Sequence, residues 1–141
     1  MVEYVSHSAE ETREIGGKVV QRFGVNRLYC LYGPLAAGKT TLVKGMAEEI
    51  GVERRVVSPS YILLREYEGE YPLHHIDLFR LGSSGELIEA GLDEYIVDPR
   101  GVVAIEWAER AEGILPEDRV DVRIEITGDE ERKVATTSNL D

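Results

Sequence analysis

The chain has 141 residues, of which 43% are hydrophobic and 30% charged, and a formal net charge of −11. That length predicts one domain over 1–141 with a core of its own, and the composition is that of an ordinary soluble globular protein. No apolar run approaches a membrane span, and the N-terminal MVEYVSHSAEE lacks the basic-then-apolar layout of a signal peptide, so a cytoplasmic location is expected. One cysteine, Cys30, excludes a disulfide framework and a thiol metal site. The acidity bears on partners: a protein that grips nucleic acid by itself shows a basic face, whereas this chain has only Arg54-Arg55 and scattered single cations. Any RNA or DNA in its process is expected to be held by another subunit.

In chain order, Val2 to Val5 reads as a short edge strand. Ser8 opens a capping box with Glu11, and Thr12, Ile15, Val19 and Phe23 carry a helical face to Gly24. Leu28 to Tyr32 is an apolar, aromatic run of the kind found in buried strands, and it stops at Gly33. From there Gly33-Pro34-Leu35-Ala36-Ala37-Gly38-Lys39-Thr40 satisfies the P-loop pattern G-x-x-x-x-G-K-[ST], whose backbone amides wrap a chain of phosphates. Leu42, Val43, Met46, Ala47 and Ile50 then recur at helical spacing, with Gly51 as the stop.

Each residue type in that loop has a physical reason. Gly33 and Gly38 permit backbone angles a side chain resists, so successive N–H groups can face one anion while the following helix aims its dipole at it. Lys39 supplies a mobile charge for the β- and γ-phosphates, the Thr40 hydroxyl is the usual Mg²⁺ ligand, and Thr41 reaches the α-phosphate.

Further on, Arg54 to Val57 leads into Ser58-Pro59-Ser60, where proline predicts an irregular segment; local chemistry alone reads it as a structural turn. Tyr61 to Tyr67 and Leu73 to Leu78 predict a hairpin about Glu68-Gly69-Glu70. A short helix is expected over Ser83 to Gly91, a further turn over Asp93 to Ile96, and a helix over Trp107 to Gly113. Val102 to Ile105 is a four-residue apolar run, hence a central strand, and Arg119 to Ile126 alternates as a half-buried strand does. Lys133 to Thr137 is expected as a last strand at most, within a tail from 130 to 141 that frays.

Strands alternating with helices around a P-loop imply a three-layer α/β domain, with a mostly parallel central sheet, an antiparallel hairpin, and ligands beyond the carboxyl ends of the strands. Two acids stand at such ends: Glu106 after Val102–Ile105, and Asp77 after Leu73–Ile76. Either acid can hold Mg²⁺ or orient an attacking water, and Asp77 equally suits a turn or cap. His74 and His75 are adjacent, so they point to opposite sheet faces and do not share a metal. Trp107 is either core or a platform beside a nucleotide.

Taken together, G-P-L-A-A-G-K-T-T-L at 33 to 42, S-P-S-Y at 58 to 61, H-I-D-L-F-R-L at 75 to 81, G-L-D-E-Y at 91 to 95 and I-E-W-A-E-R at 105 to 110 resemble the TsaE (YjeE) family. These are bacterial P-loop ATPases required for threonylcarbamoylation of adenosine 37 in tRNAs reading ANN codons. The resemblance covers roughly residues 8 to 126. It implies ATP at Gly33 to Thr41, with Thr12 loosely aligned to a position near the adenine, and Mg²⁺ at Thr40 and Glu106; Trp107, if a platform and not core, would join the nucleotide site. It further implies that Asp77 supports the metal or the attacking water, that Ser58, Pro59, Ser60 and Tyr61 form a switch-like segment, and that a TsaB–TsaD heterodimer, which holds the tRNA, is the partner. Where that family usually has an acid and a glycine, this loop has Pro34 and Ala36. Pro34 removes an amide donor, and Ala36 tests whether its position needs a positive φ. A small-molecule kinase shares the motif, but no long lid-like insertion is evident; a GTPase is disfavoured because no N-K-x-D signature appears.

Overall fold

A computed structural model describes residues 1–59 and 63–139. Twelve elements follow one another along these residues: β1 (Val2–Ser6), α1 (Ala9–Phe23), β2 (Arg27–Tyr32), α2 (Lys39–Glu49), β3 (Leu64–Tyr67), β4 (Leu73–Asp77), α3 (Ser84–Glu89), α4 (Asp93–Val97), β5 (Val102–Glu106), a 3-10 helix (Ala108–Ala111), β6 (Val120–Ile126) and β7 (Arg132–Ser138). The strands form one sheet in the order β1-β7-β6-β2-β5-β4-β3. Its centre, β6-β2-β5-β4, is parallel. Both margins are antiparallel: β7 joins β6 to β1 on one side, and β3 hairpins onto β4 on the other.

Helices cover both faces, as the parallel core requires. On one face Ile15, Val19 and Val20 of α1 and Leu42, Val43 and Met46 of α2 pack on Tyr29, Leu31, Leu73, Val102 and Ala104. On the other, Leu87 of α3, Ile96 of α4 and Ala108 and Ala111 of the 3-10 helix cover Leu28, Cys30, Ile76, Val103 and Ile105. The β2 and β5 side chains are buried on both sides, which is why these strands read as unbroken apolar runs.

Local details refine the expected elements. Ser8 caps α1 by accepting the Glu11 amide at 3.1 Å, but the Glu11 carboxylate reaches back to the His7 amide at 2.8 Å, one residue before the cap. The helix expected over Trp107 to Gly113 shrinks to a single 3-10 turn, because Trp107 takes a left-handed φ of 58° and Gly113 one of 95°. The C-terminal stretch, expected to fray outside a short strand, contributes β7, a seven-residue strand inserted between β1 and β6. Its Val134 is fully buried, and that burial fixes the strand in the sheet.

Candidate functional site

All four parallel strands point their carboxyl ends the same way, so the loop after β2, Asp77 at the end of β4 and Glu106 at the end of β5 converge. Register makes this close: Asp77 and Leu31 are the cross-strand partners of Glu106.

The loop from Gly33 to Gly38 turns through an Ala37 amide to Pro34 carbonyl bond of 3.1 Å and enters α2 with Gly38 as its cap. Gly38 has φ 106°, as a glycine permits; Gly33 does not, and owes its identity to close approach, since a Cβ there would lie 2.8 Å from the Ile124 carbonyl of β6. The left-handed position inside the loop is instead Ala36, at φ 65°. Arg132 braces the loop from β7, donating from Nε to the Ala37 carbonyl at 3.1 Å and from a terminal nitrogen to the Gly128 carbonyl at 3.0 Å.

Lys39 is buried beneath the loop. Its ammonium donates to the Gly33 carbonyl and, at 3.3 Å, to the Pro34 carbonyl, and lies 3.7 Å from the centre of the Trp107 ring. Burial holds its pKa below the usual lysine value, with Glu106, Glu109 and Asp77 opposing that shift. Thr40 donates its hydroxyl to Glu106 Oε2 at 2.7 Å, and the same oxygen meets His75 Nε2 at 2.6 Å. Asp77 accepts the Phe79 amide at 2.8 Å, the turn role considered for it, while its side chain also lines the same cavity.

That cavity, of about 460 Å³, is bounded by Leu35, Ala36, Ala37, Gly38, Lys39, Thr40 and Thr41 on one side and by Ser58, Asp77, Phe79, Arg80, Glu106 and Trp107 on the other. A second cavity of about 280 Å³ continues from Ala36, Ala37, Gly38 and Thr41 to Thr12, Ala9 and the β6–β7 turn at Asp129, Glu130 and Arg132. Thr12 is itself buried, its hydroxyl 2.6 Å from that of Ser6. The structure thus brings the expected residues Lys39, Thr40, Thr41, Asp77, Glu106, Trp107 and Ser58 around one cavity, and sets Thr12 in the next. Pro59 is buried, and Ser60 and Tyr61 of the expected switch lie outside the described residues.

Sequence reasoning missed three participants. The sequence assigns His75 no role beyond its strand, leaves Arg80 among scattered single cations, and places Arg132 in the stretch expected to fray. Only the parallel spacing of H-x-D with the end of β4 hinted at the first; Arg132 had no local signal, since its contact spans 95 residues.

The donor set is chemically coherent. A glycine-rich turn at a helix N-terminus, a buried lysine and oxygen donors from Thr40, Glu106 and Asp77 suit a phosphate chain with a hard cation. Among the described residues no cluster of three or more His, Cys, Asp or Glu side chains forms a metal cage.

Comparison with known proteins decides the family. A family model described as "Threonylcarbamoyl adenosine biosynthesis protein TsaE" matches residues 6–134. The chain belongs to the TsaE family. Among curated TsaE relatives, the Bacillus subtilis protein named for tRNA threonylcarbamoyladenosine biosynthesis is 38% identical over 130 residues, covering 92% of this chain and 80% of the relative. The Treponema pallidum protein of the same name is 36% identical over 130 residues, covering 92% of this chain and 96% of its own. A solved structure titled Bacillus subtilis YdiB superposes with a TM-score of 0.79 at 34% identity, over 97% of this TsaE family chain and 84% of that one. No helix among the described residues is long and apolar enough to cross a membrane.

Proposed function

We propose that this TsaE family member binds ATP with Mg²⁺ and hydrolyses it in support of threonylcarbamoylation of adenosine 37 in ANN-decoding tRNAs, acting on a TsaB–TsaD complex. The observation that carries this reading is the Thr40 hydroxyl seated on Glu106 at 2.7 Å, at the first turn of the helix that the glycine-rich loop feeds. It joins a phosphate cradle to a carboxylate from a neighbouring strand, the pairing that phosphoryl-transfer sites need.

In this reading the amides of Gly33 to Thr41, Pro34 excepted, surround the phosphates, and α2 directs its positive end at them. Lys39 leaves the Gly33 and Pro34 carbonyls and bridges the β- and γ-phosphates. Thr40 with Glu106 and Asp77 would hold Mg²⁺, which would supply positive charge beside the phosphates. Glu106 and Asp77 flank the side from which water attacks, and Trp107 with Phe79, rings 4.9 Å apart, screens that side from bulk solvent. Thr12 and the β6–β7 turn take the adenine end. Ser58 to Tyr61 senses the γ-phosphate. The net charge of −11 suits a protein that leaves tRNA to its partners.

The test is ATP hydrolysis by the purified protein, alone and with a TsaB–TsaD pair plus tRNA, for wild type and Lys39→Ala. Stimulation by the pair that Lys39→Ala abolishes supports the reading. Indifference to the pair, or transfer of phosphate to a small metabolite in place of water, overturns it in favour of a kinase.

A further inference from the structure

His75 lies fully buried on β4, between Arg65 of β3 and Ala104 of β5. Alternation along the strand puts it on the same face as Asp77, one pleat behind, and register puts Ala104 and Glu106 on that face too. A buried imidazole needs hydrogen-bond partners. Among the described residues this one has a single partner: Nε2 meets Glu106 Oε2 at 2.6 Å, while Nδ1 is buried with no hydrogen bond. An aliphatic side chain would fill the position more cheaply, as Leu73 does one pleat earlier on the same face.

Hydrogen-bond accounting fixes the tautomer. With the proton on Nε2, the ring donates to the carboxylate and leaves only a lone pair unmet at Nδ1; the reverse tautomer would bury an unpaired N–H against nothing and set a lone pair against Oε2. Glu106 Oε2 therefore accepts from both Thr40 and His75, whereas Oε1 has no hydrogen bond among the described residues. The carboxylate is clamped by one oxygen and offers the other.

We infer that His75 is a positioning residue that clamps Glu106 through Oε2 and so presents its second oxygen to a divalent cation beside Thr40. The inference rests on the ATP and Mg²⁺ reading above. Removing the outer partner of a metal-binding carboxylate lowers metal affinity without touching the other ligand contacts.

The experiment is calorimetric titration of the purified protein with ATP, in Mg²⁺ and in EDTA, for wild type, His75→Leu, His75→Asn and His75→Gln, with thermal melts to establish folding. Leucine fills the space without a donor, and asparagine is too short to reach Glu106, so whichever of the two folds carries the test. The expected result is metal-free ATP affinity within about twofold of wild type, with the Mg²⁺ enhancement cut about tenfold or more. Glutamine, which restores a donor at the reach of Nε2, regains most of it. A folded Leu or Asn variant with undiminished Mg²⁺ enhancement overturns the role of His75 alone, as does an equal loss with and without Mg²⁺. A wild type that binds no ATP, or binds it without regard to Mg²⁺, overturns the functional reading itself.

Discussion

Lys39 Nζ stands 3.7 Å from the centre of the Trp107 ring, stacked on the chain's single tryptophan. The ring and two loop carbonyls occupy the ammonium where phosphates would, and burial disfavours its charge. ATP binding must therefore draw Lys39 away from the indole, and the fluorescence of Trp107 should change on titration with ATP. Lys39→Met removes both the buried charge and the phosphate contact. Its expected outcome is a raised melting temperature, no fluorescence response, and ATP affinity lower by about 10- to 100-fold, the worth of one hydrogen bond to a charged group. A response in Lys39→Met as large as in wild type would refute the displacement.

Ala36 carries the loop's left-handed turn at φ 65°. An L-residue there costs about 1–2 kcal/mol, which the surrounding bonds from Arg132 to Ala37 and from Ala37 to Pro34 sustain. A β-branched side chain at positive φ is worse still. Ala36→Val should lose about 1–2 kcal/mol of stability in denaturant melts and weaken ATP binding further than its stability loss alone implies. Ala36→Gly trades about 1–2 kcal/mol of strain relief against about 0.4–1 kcal/mol from the greater freedom of the unfolded chain, and should leave stability unchanged or raise it by up to about 1.5 kcal/mol. Equal behaviour of the two variants would show that the loop relaxes out of this conformation.

Much of this architecture is legible in the sequence, and for physical reasons. Val102–Glu106 and Arg27–Tyr32 are buried on both faces, so their apolar runs announce central strands, and the acid after such a run falls at the ligand-bearing end of the sheet. Local signals fail where the cause is distant. β7 reads as a weak tail because its short run of Lys, Ala and Thr is stabilised by pairing with β1 and β6, far away in the chain. Gly33 looks like a turn glycine and proves to be a packing glycine against Ile124. His75 shows its contact with Glu106 only once β4 and β5 are set side by side in register.

The two helices on the face above the loop meet backbone to backbone. A Cβ at Gly45 would fall 1.6 Å from the Arg13 carbonyl oxygen, and one at Gly16 2.1 Å from that of Leu42. Gly45→Ala forces α1 and α2 apart and should cost about 3 kcal/mol or more, the upper end of overpacking effects. Gly17 is a control on the same helix pair, because a Cβ there meets first the flexible Glu49 carboxylate at 3.4 Å. Gly17→Ala should stabilise by up to about 1 kcal/mol through helix propensity. Chemical denaturation of both variants measures the contrast; similar values would mean that the helices are not held in this close crossing.

His74, on the opposite face of β4 from His75, packs its ring 4.9 Å from that of Tyr95 and has Glu66 at 4.0 Å. Burial lowers its pKa below the ordinary 6.5, and Glu66 opposes this only in part. The unfolded chain therefore binds this proton more readily than the folded one. Stability from this group is complete above pH 6.5 and is lost as pH falls from there through the folded pKa. His74→Phe keeps the ring and removes the titration. Melting temperatures of the two proteins should fall by different amounts between neutral and mildly acidic pH, wild type losing more. Because the two proteins differ only at this residue, the difference between the curves reports His74, and parallel curves would show that its proton does not oppose folding.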